Sequence, residues 1–164
     1  MDLDQFFARL QATPLAKTIS ENEILFPWIE SIHVLAIVLV IGTISIVDLR
    51  LLGIASLDRT VSRLMRDTLP FTWTAFIIAA ISGTLLFASN AVNYSHNFFF
   101  RGKLLLLAIA GLNMVIFHIV GTANIRRWDS MRQTPSVAKV TGAISLLVWI
   151  AVVVFGRWIG FTLH

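Results

Sequence analysis

Four long stretches of the chain carry no charged side chain, and short charged segments separate them. The charged residues that bound these stretches are Glu30 and Asp48, Asp67 and Arg101, Lys103 and Arg126, and Lys139 and Arg157. At about 1.5 Å per helical residue, each stretch crosses most of the ~30 Å hydrocarbon layer of a bilayer. The pattern therefore predicts an all-α integral membrane protein, a bundle of four transmembrane helices.

The apolar stretches and their flanking residues also predict where each element begins and ends. The chain is predicted to be a single domain, residues 1–164, with spanning helices at about 27–52, 71–89, 98–123 and 136–161. Residues 1–24 are predicted to form an amphipathic segment at the membrane interface. Its apolar residues recur at helical spacing: Leu3, Phe6, Phe7 and Leu10. A second short surface helix is expected on the cytoplasmic side, capped at Ser56 and ending near Pro70.

Composition agrees with a membrane protein and excludes several classes of site. The chain is 57% hydrophobic and 13% charged, against about 25% charged residues in a typical soluble domain. It has no cysteine, which excludes disulfides, iron–sulfur clusters and covalently attached c-type haem. The basic residues flank apolar segments and form no single stripe, so we expect no nucleic-acid partner.

The distribution of basic residues predicts the orientation in the membrane. Segments 48–67 and 126–139 together hold eight Lys or Arg residues against four Asp residues, whereas the opposite side has no basic excess. By the positive-inside rule those segments face the cytoplasm. We therefore expect a multi-pass protein of the bacterial inner membrane with both termini in the periplasm.

Polar side chains within or near the ends of apolar helices are candidates for function, because they cost free energy in lipid. His33 and His118 lie inside predicted helices, about 20 Å apart in depth at 1.5 Å per residue. Within one subunit they cannot both ligate one haem, so either there are two sites or one of the histidines is structural. The outer site joins His33 to Lys103, Arg157 and Glu30. The inner site joins His118 to Asp48 and Arg50.

Three interpretations of the histidines remain open. Each imidazole could be a buried neutral group bonded to a carbonyl or carboxylate, an axial ligand of a b-type haem, or a ligand of copper or another metal. His96 lies in a connection on the His33 side, so a His33–His96 pair is geometrically possible. Nearby cations would neutralise haem propionates: Lys103, Arg101 and Arg157. Arg50 is interpreted mainly as a topology residue paired with Asp48.

Several motifs resemble those of an uncharacterised family of small four-helix bacterial inner-membrane proteins. The motifs are His33-Val-Leu-Ala, Asp48-Leu49-Arg50-Leu51-Leu52-Gly53, Phe100-Arg101-Gly102-Lys103-Leu104, Phe117-His118 and Gly156-Arg157-Trp158-Ile159-Gly160. More distantly, the chain is similar to the membrane domain of copper-resistance D-type proteins and to the four-helix cytochrome b superfamily. These distant resemblances imply haem b or copper as a cofactor.

The expected function is electron transfer between the quinone pool and a periplasmic partner by a b-type cytochrome or cytochrome-like subunit. The alternative is a non-redox accessory or transport protein that binds copper, lipid or a partner subunit. No catalytic arrangement typical of a stand-alone enzyme is present in the sequence. Gly156-x-x-x-Gly160 favours a homo-oligomer or a larger membrane complex.

Overall fold

The computed structural model describes residues 3–121, 125–129 and 134–163, and all regular structure in these ranges is helical. In chain order the elements are α1 Leu3–Gln11, α2 Pro14–Glu21, α3 Leu25–Leu52, α4 Val61–Ser89, α5 Ala91–His96, α6 Phe98–Ile116, a π-helical turn Phe117–Gly121, α7 Ile125–Trp128 and α8 Ser136–Thr162. Four of them, α3, α4, α6 with part of its π-helical turn, and α8, are long and apolar enough to span a membrane. The predicted all-α class with four such helices is confirmed.

The prediction of a separate surface helix before Pro70 is wrong. Thr60 caps α4 by accepting a hydrogen bond from the Arg63 backbone N–H at 3.4 Å, and the helix then continues through Pro70 to Ser89. Ser56 instead lies in the turn that precedes α4, with a positive φ of 56°. Proline is tolerated inside long apolar helices because neighbouring helices and hydroxyl side chains satisfy the freed backbone groups. A proline in the sequence therefore did not mark a helix end here.

Local capping interactions fix both ends of α3. The Asn22 side chain accepts hydrogen bonds from the backbone N–H groups of Ile24 and Leu25, both at 2.9 Å, so the helix starts slightly before the predicted residue 27. Gly53 ends it in the left-handed conformation, with a φ of 77° that favours glycine. The end of α6 is continued by the π-helical turn, and the predicted end at residue 123 lies outside the described residues.

The four long helices form an open arrangement. Helix α3 packs against α4 and α8, and α8 packs against α6. Helices α4 and α6 meet through the Phe87 and Phe100 rings at one end, and over the other half a groove lies between them, with α3 and α8 as its floor. We call the end that carries α1, α2 and α5 the outer end, and the end that carries residues 53–60 and α7 the inner end.

Small elements close both ends of the structure. At the outer end, Ala16 and Ile19 bury α2 against the long helices, and the rings of Phe87 and Phe100 stack with 5.2 Å between their centroids. The predicted amphipathic segment forms two short helices, α1 and α2, instead of one. At the inner end a hydrophobic cluster joins α3, α4, the π-helical turn, α7 and α8. Its buried residues are Leu51, Val61, Phe117, Trp128 and Ala138.

Candidate ligand-binding site

The inner half of the groove contains a cavity of about 240 Å³. All four long helices and the π-helical turn line it, and most of the lining is apolar, including Trp73, Phe76 and Trp149. An apolar cavity of about 150 Å³ is known to hold a benzene molecule. This cavity is therefore large enough for one substituted aromatic ring.

Asp48 is the charged residue of α3 that lines this cavity. Its side chain is buried, with 5% of the residue exposed, and the Ser145 side chain lies within hydrogen-bonding reach of it. The second oxygen, Oδ2, is buried and has no hydrogen-bond partner among the described residues. Burying a carboxylate oxygen without a hydrogen-bond partner costs free energy. A ligand in the cavity that donates a hydrogen bond to Asp48 Oδ2 would remove this cost.

The predicted pairing of Arg50 with Asp48 is wrong. Arg50 is only 2% exposed, but its Nε donates to the Arg59 carbonyl at 2.7 Å and its guanidinium also donates to the Thr134 hydroxyl at 3.4 Å. Residues two apart on a helix point in nearly opposite directions, so the two side chains face different surroundings. Arg50 holds the inner connections together and does not line the cavity.

Asp48 on α3 and His118 in the π-helical turn after α6 line the same cavity from two sides. His118 is largely exposed and is engaged in an interaction within the structure. Single π-helical turns inside helices are frequent at functional sites, because they change which side chains face a given direction. No sequence pattern indicated this turn.

The other polar groups around the cavity bridge helices. The Asn113 side-chain amide donates to the Thr141 carbonyl at 3.0 Å, which joins α6 to α8. The Thr72 hydroxyl donates to the Thr43 hydroxyl at 2.8 Å, which joins α4 to α3. Neither Asn113 nor Ser145 was predicted as a site residue, although a polar residue inside an apolar stretch is the signal that would have singled them out.

At the outer end, His33 is fixed against α4. Its Nδ1 lies 3.0 Å from the Ser82 hydroxyl, and Gly83 leaves room for the ring, since a Cβ there would be 2.8 Å from its Cε1. The Ser82 hydroxyl donates its one hydrogen to the Ile78 carbonyl at 2.7 Å. If the Ser82 hydrogen stays with Ile78, His33 donates through Nδ1–H and the lone pair is on Nε2. That tautomer is the one found in histidines that ligate metals through Nε2.

The structure brings only part of the predicted outer cluster together. Lys103 acts electrostatically on the His33 ring, so the two lie near each other. Arg157 is exposed, with its guanidinium 4.7 Å from the Phe161 ring centroid. Arg101 is exposed and donates to the Ser95 carbonyl at 2.7 Å.

The predicted His33–His96 pair is not formed. His96 Nε2 lies 3.0 Å from Asp4 Oδ1 on α1, and both side chains are exposed. Within the ranges that the structure describes, no group of three or more His, Asp or Glu side chains could hold a metal ion. Since His96 lies on α5 and His118 at the inner end, His33 is the one described histidine within the outer half of the long helices.

Comparison with known proteins yields a family. No curated protein and no solved structure matches the chain. The distant similarity to copper-resistance D-type and cytochrome b domains is supported by none of these comparisons. A family of unknown function, DUF6644, matches residues 15–162. Since this match covers nearly the whole sequence, the chain belongs to the DUF6644 family.

Proposed function

We propose that the chain is a multi-pass protein of the bacterial inner membrane that binds the ring of a quinone-class lipid in its inner cavity. In this role it would serve electron transfer between the quinone pool and a periplasmic partner. Four helices of spanning length, with many large apolar side chains exposed on their outer faces, support membrane insertion. The excess of basic residues in segments 48–67 and 126–139 supports periplasmic termini.

The observation that carries the proposal is the unpartnered Asp48 Oδ2 in a cavity sized for one ring. A quinol hydroxyl would donate to this oxygen, and the apolar lining would contact the ring. The cavity is also partly open, and α4 and α6 do not close the groove around it. A molecule dissolved in the bilayer with a long apolar tail can enter a site through such a lateral opening.

A b-type haem remains a proposal that rests on His33. Its donor chemistry fits an axial ligand in one of its two neutral tautomers, in which Ser82 accepts from Nδ1–H and Nε2 carries the lone pair. A haem there would have a single imidazole ligand from the described part of this chain, so ordinary bis-histidine ligation within one subunit does not fit. When bound, the haem would supply a one-electron redox couple.

The second candidate is a non-redox accessory or transport protein that binds lipid, copper or a partner subunit. Lys103 favours it, since this cation lies among the helices of the outer end without an acidic partner in the described ranges. Association of copies also stays a prediction. Gly160 is exposed and a Cβ there would meet nothing within 4 Å, so it leaves an open surface for a neighbouring helix.

Titration of the purified protein with a short-chain quinol, followed by tryptophan fluorescence, tests the proposal. Trp73 and Trp149 line the cavity and would report binding. We expect saturable binding that Asp48→Leu weakens about 10-fold or more, which corresponds to about 1.4 kcal/mol. Thr84→Val is the matched control, because Thr84 is exposed and bonds only within its own helix. Unsaturable binding, or equal affinity in the wild type and Asp48→Leu, would overturn the proposal.

A reduced-minus-oxidised absorption spectrum tests the haem separately. A haem on His33 gives Soret and α bands that His33→Ala abolishes and His96→Ala leaves in place. Colourless protein with saturable quinol binding would remove the haem and keep the cavity assignment. Colourless protein without quinol binding would favour the accessory function.

A further inference from the structure

Lys103 lies at the outer end of the structure, at the contact between α6 and α8. Its Nζ is 3.6 Å from the position that a Cβ would occupy on Gly156, so the Lys103 side chain packs directly against α8. Gly102 packs even more closely on α8, against the Phe155 ring. The two glycines allow the helices to approach, and this approach places the Lys103 side chain in a half-buried position.

No acidic side chain compensates this cation in the part of the chain that the structure describes. The two ion pairs found there join Arg63 to Asp67 and His96 to Asp4, and neither involves Lys103. Among the described residues, none accepts a hydrogen bond from the Lys103 ammonium group either. A lysine inside a bundle of apolar helices costs free energy unless it has a partner, so a negative group from outside the described chain is expected there.

We propose that Lys103 binds a phosphate group beside His33, at the outer end of the contact between α6 and α8. Lysine is a common phosphate ligand, because its ammonium is a compact charge with three donors. Lys103 is the sixth residue of α6, about 7.5 Å from the helix start at 1.5 Å per residue. A lysine at this depth reaches the layer of lipid phosphates. The phosphate belongs either to an anionic lipid or to free inorganic phosphate.

This site is separate from the inner cavity. Lys103 lies ten residues before Asn113 on α6, about 15 Å along the helix axis. It is not among the residues that line the cavity. The phosphate site therefore does not depend on quinone binding, and each can be tested without the other.

Thermal unfolding in a phosphate-free maltoside detergent tests the proposal with three additions. These are phosphatidylglycerol, inorganic phosphate and diacylglycerol, of which the last has the lipid tails without the phosphate. A ligand at 100 times its Kd should raise the midpoint by about 4 °C or more. A rise with phosphatidylglycerol alone identifies the lipid as the source, and a rise with inorganic phosphate identifies the free ion.

The variants decide whether Lys103 is responsible. Lys103→Met should abolish the rise, and Arg157→Met should keep it, because Arg157 is an exposed cation near the same end. If Lys103→Met does not fold, Lys103→Gln serves in its place, since it also removes the positive charge and keeps a polar side chain of similar length, and it should reduce the rise. Asp48→Leu should keep the rise even if quinol binding is lost.

Three results would overturn the phosphate site. The first is a rise of the same size in Lys103→Met and the wild type. The second is an equal rise with diacylglycerol, which would show that the lipid tails are responsible. The third is the absence of any rise with both phosphate-bearing additions.

Discussion

Asp48 and Arg50 lie two residues apart on α3, both are buried, and they do not form an ion pair. Asp48 lines the cavity beside Ser145, while the Arg50 guanidinium bonds the Arg59 carbonyl and the Thr134 hydroxyl. The helix separates the two charges because its successive side chains turn by about 100°. The carboxyl group is thereby left available to a ligand, and the guanidinium stabilises the inner connections.

Arg50→Met should destabilise the protein by about 2–3 kcal/mol, because the Arg59 carbonyl and the Thr134 hydroxyl would lose a charged partner. Chemical unfolding in detergent measures the change. Arg63→Met is the matched control. Its exposed ion pair with Asp67 is 4.0 Å long and contributes little. Equal stability of the two variants would contradict the structural role of Arg50.

Gly83→Ala should displace the His33 ring and cost about 1–3 kcal/mol, because a Cβ would lie 2.8 Å from Cε1. The cost should largely disappear in a His33→Ala background, which a double-mutant cycle measures. Gly42→Ala should be neutral or stabilising, since a Cβ there meets nothing within 4 Å. A cost of Gly83→Ala that does not depend on His33 would show that the ring is not packed against α4.

Thr72→Val should weaken the contact between α3 and α4. The substitution removes the hydrogen bond to the Thr43 hydroxyl and keeps the side-chain shape. Hydrogen bonds between membrane helices contribute about 0.6 kcal/mol on average, so we expect a loss near that value. Unfolding in mixed detergent micelles measures it. Thr84→Val should change stability less, because it breaks a bond only within α4.

Tyr94 should ionise at a higher pH than free tyrosine. Burial raises the pKa of Tyr94, and the negative charge of Glu30 raises it further. The native state then keeps the proton after the unfolded chain has lost it, near pH 10. The resulting stabilisation is complete below about pH 10 and is lost as the pH rises through the native pKa of Tyr94.

Tyrosinate absorbance measures this titration directly, because Tyr94 is the single tyrosine of the chain. Glu30→Gln should lower the midpoint, as it removes the second cause of the raised pKa. A wild-type midpoint at or below that of free tyrosine would contradict the burial of the ring.

Much of the fold was predicted from the sequence, and the errors in that prediction have local causes. The four apolar helices were predicted because charged residues are absent over lengths that match a bilayer. Pro70 was misinterpreted as a helix end, although neighbouring helices allow α4 to continue through it. The π-helical turn at Phe117–Gly121 carries no comparable sequence signal.

The candidate site was predicted less completely than the fold. Lys103 acts electrostatically on His33, which lies at a similar depth, and His118 lines the inner cavity, whereas His33 does not. Depth along the helices did not predict that Arg157 lies outward over Phe161, or that His96 bonds Asp4. Depth fixes only the level of a side chain along the helix axis. The direction in which it points depends on which helix faces pack together.

How many long helices form, and at what level each polar residue lies, follow from the sequence alone, because uncharged segments of this length satisfy their backbone groups by forming helices. That α4 and α6 separate around the inner cavity, and that Asp48 faces this cavity, follow from how the helices pack. The reason is that the apolar residues of α3 and α6 are spread almost evenly around each helix, so hydrophobicity does not select a packing face. Close approach at glycines and hydrogen bonds between helices make that choice, and they exist only once the helices meet.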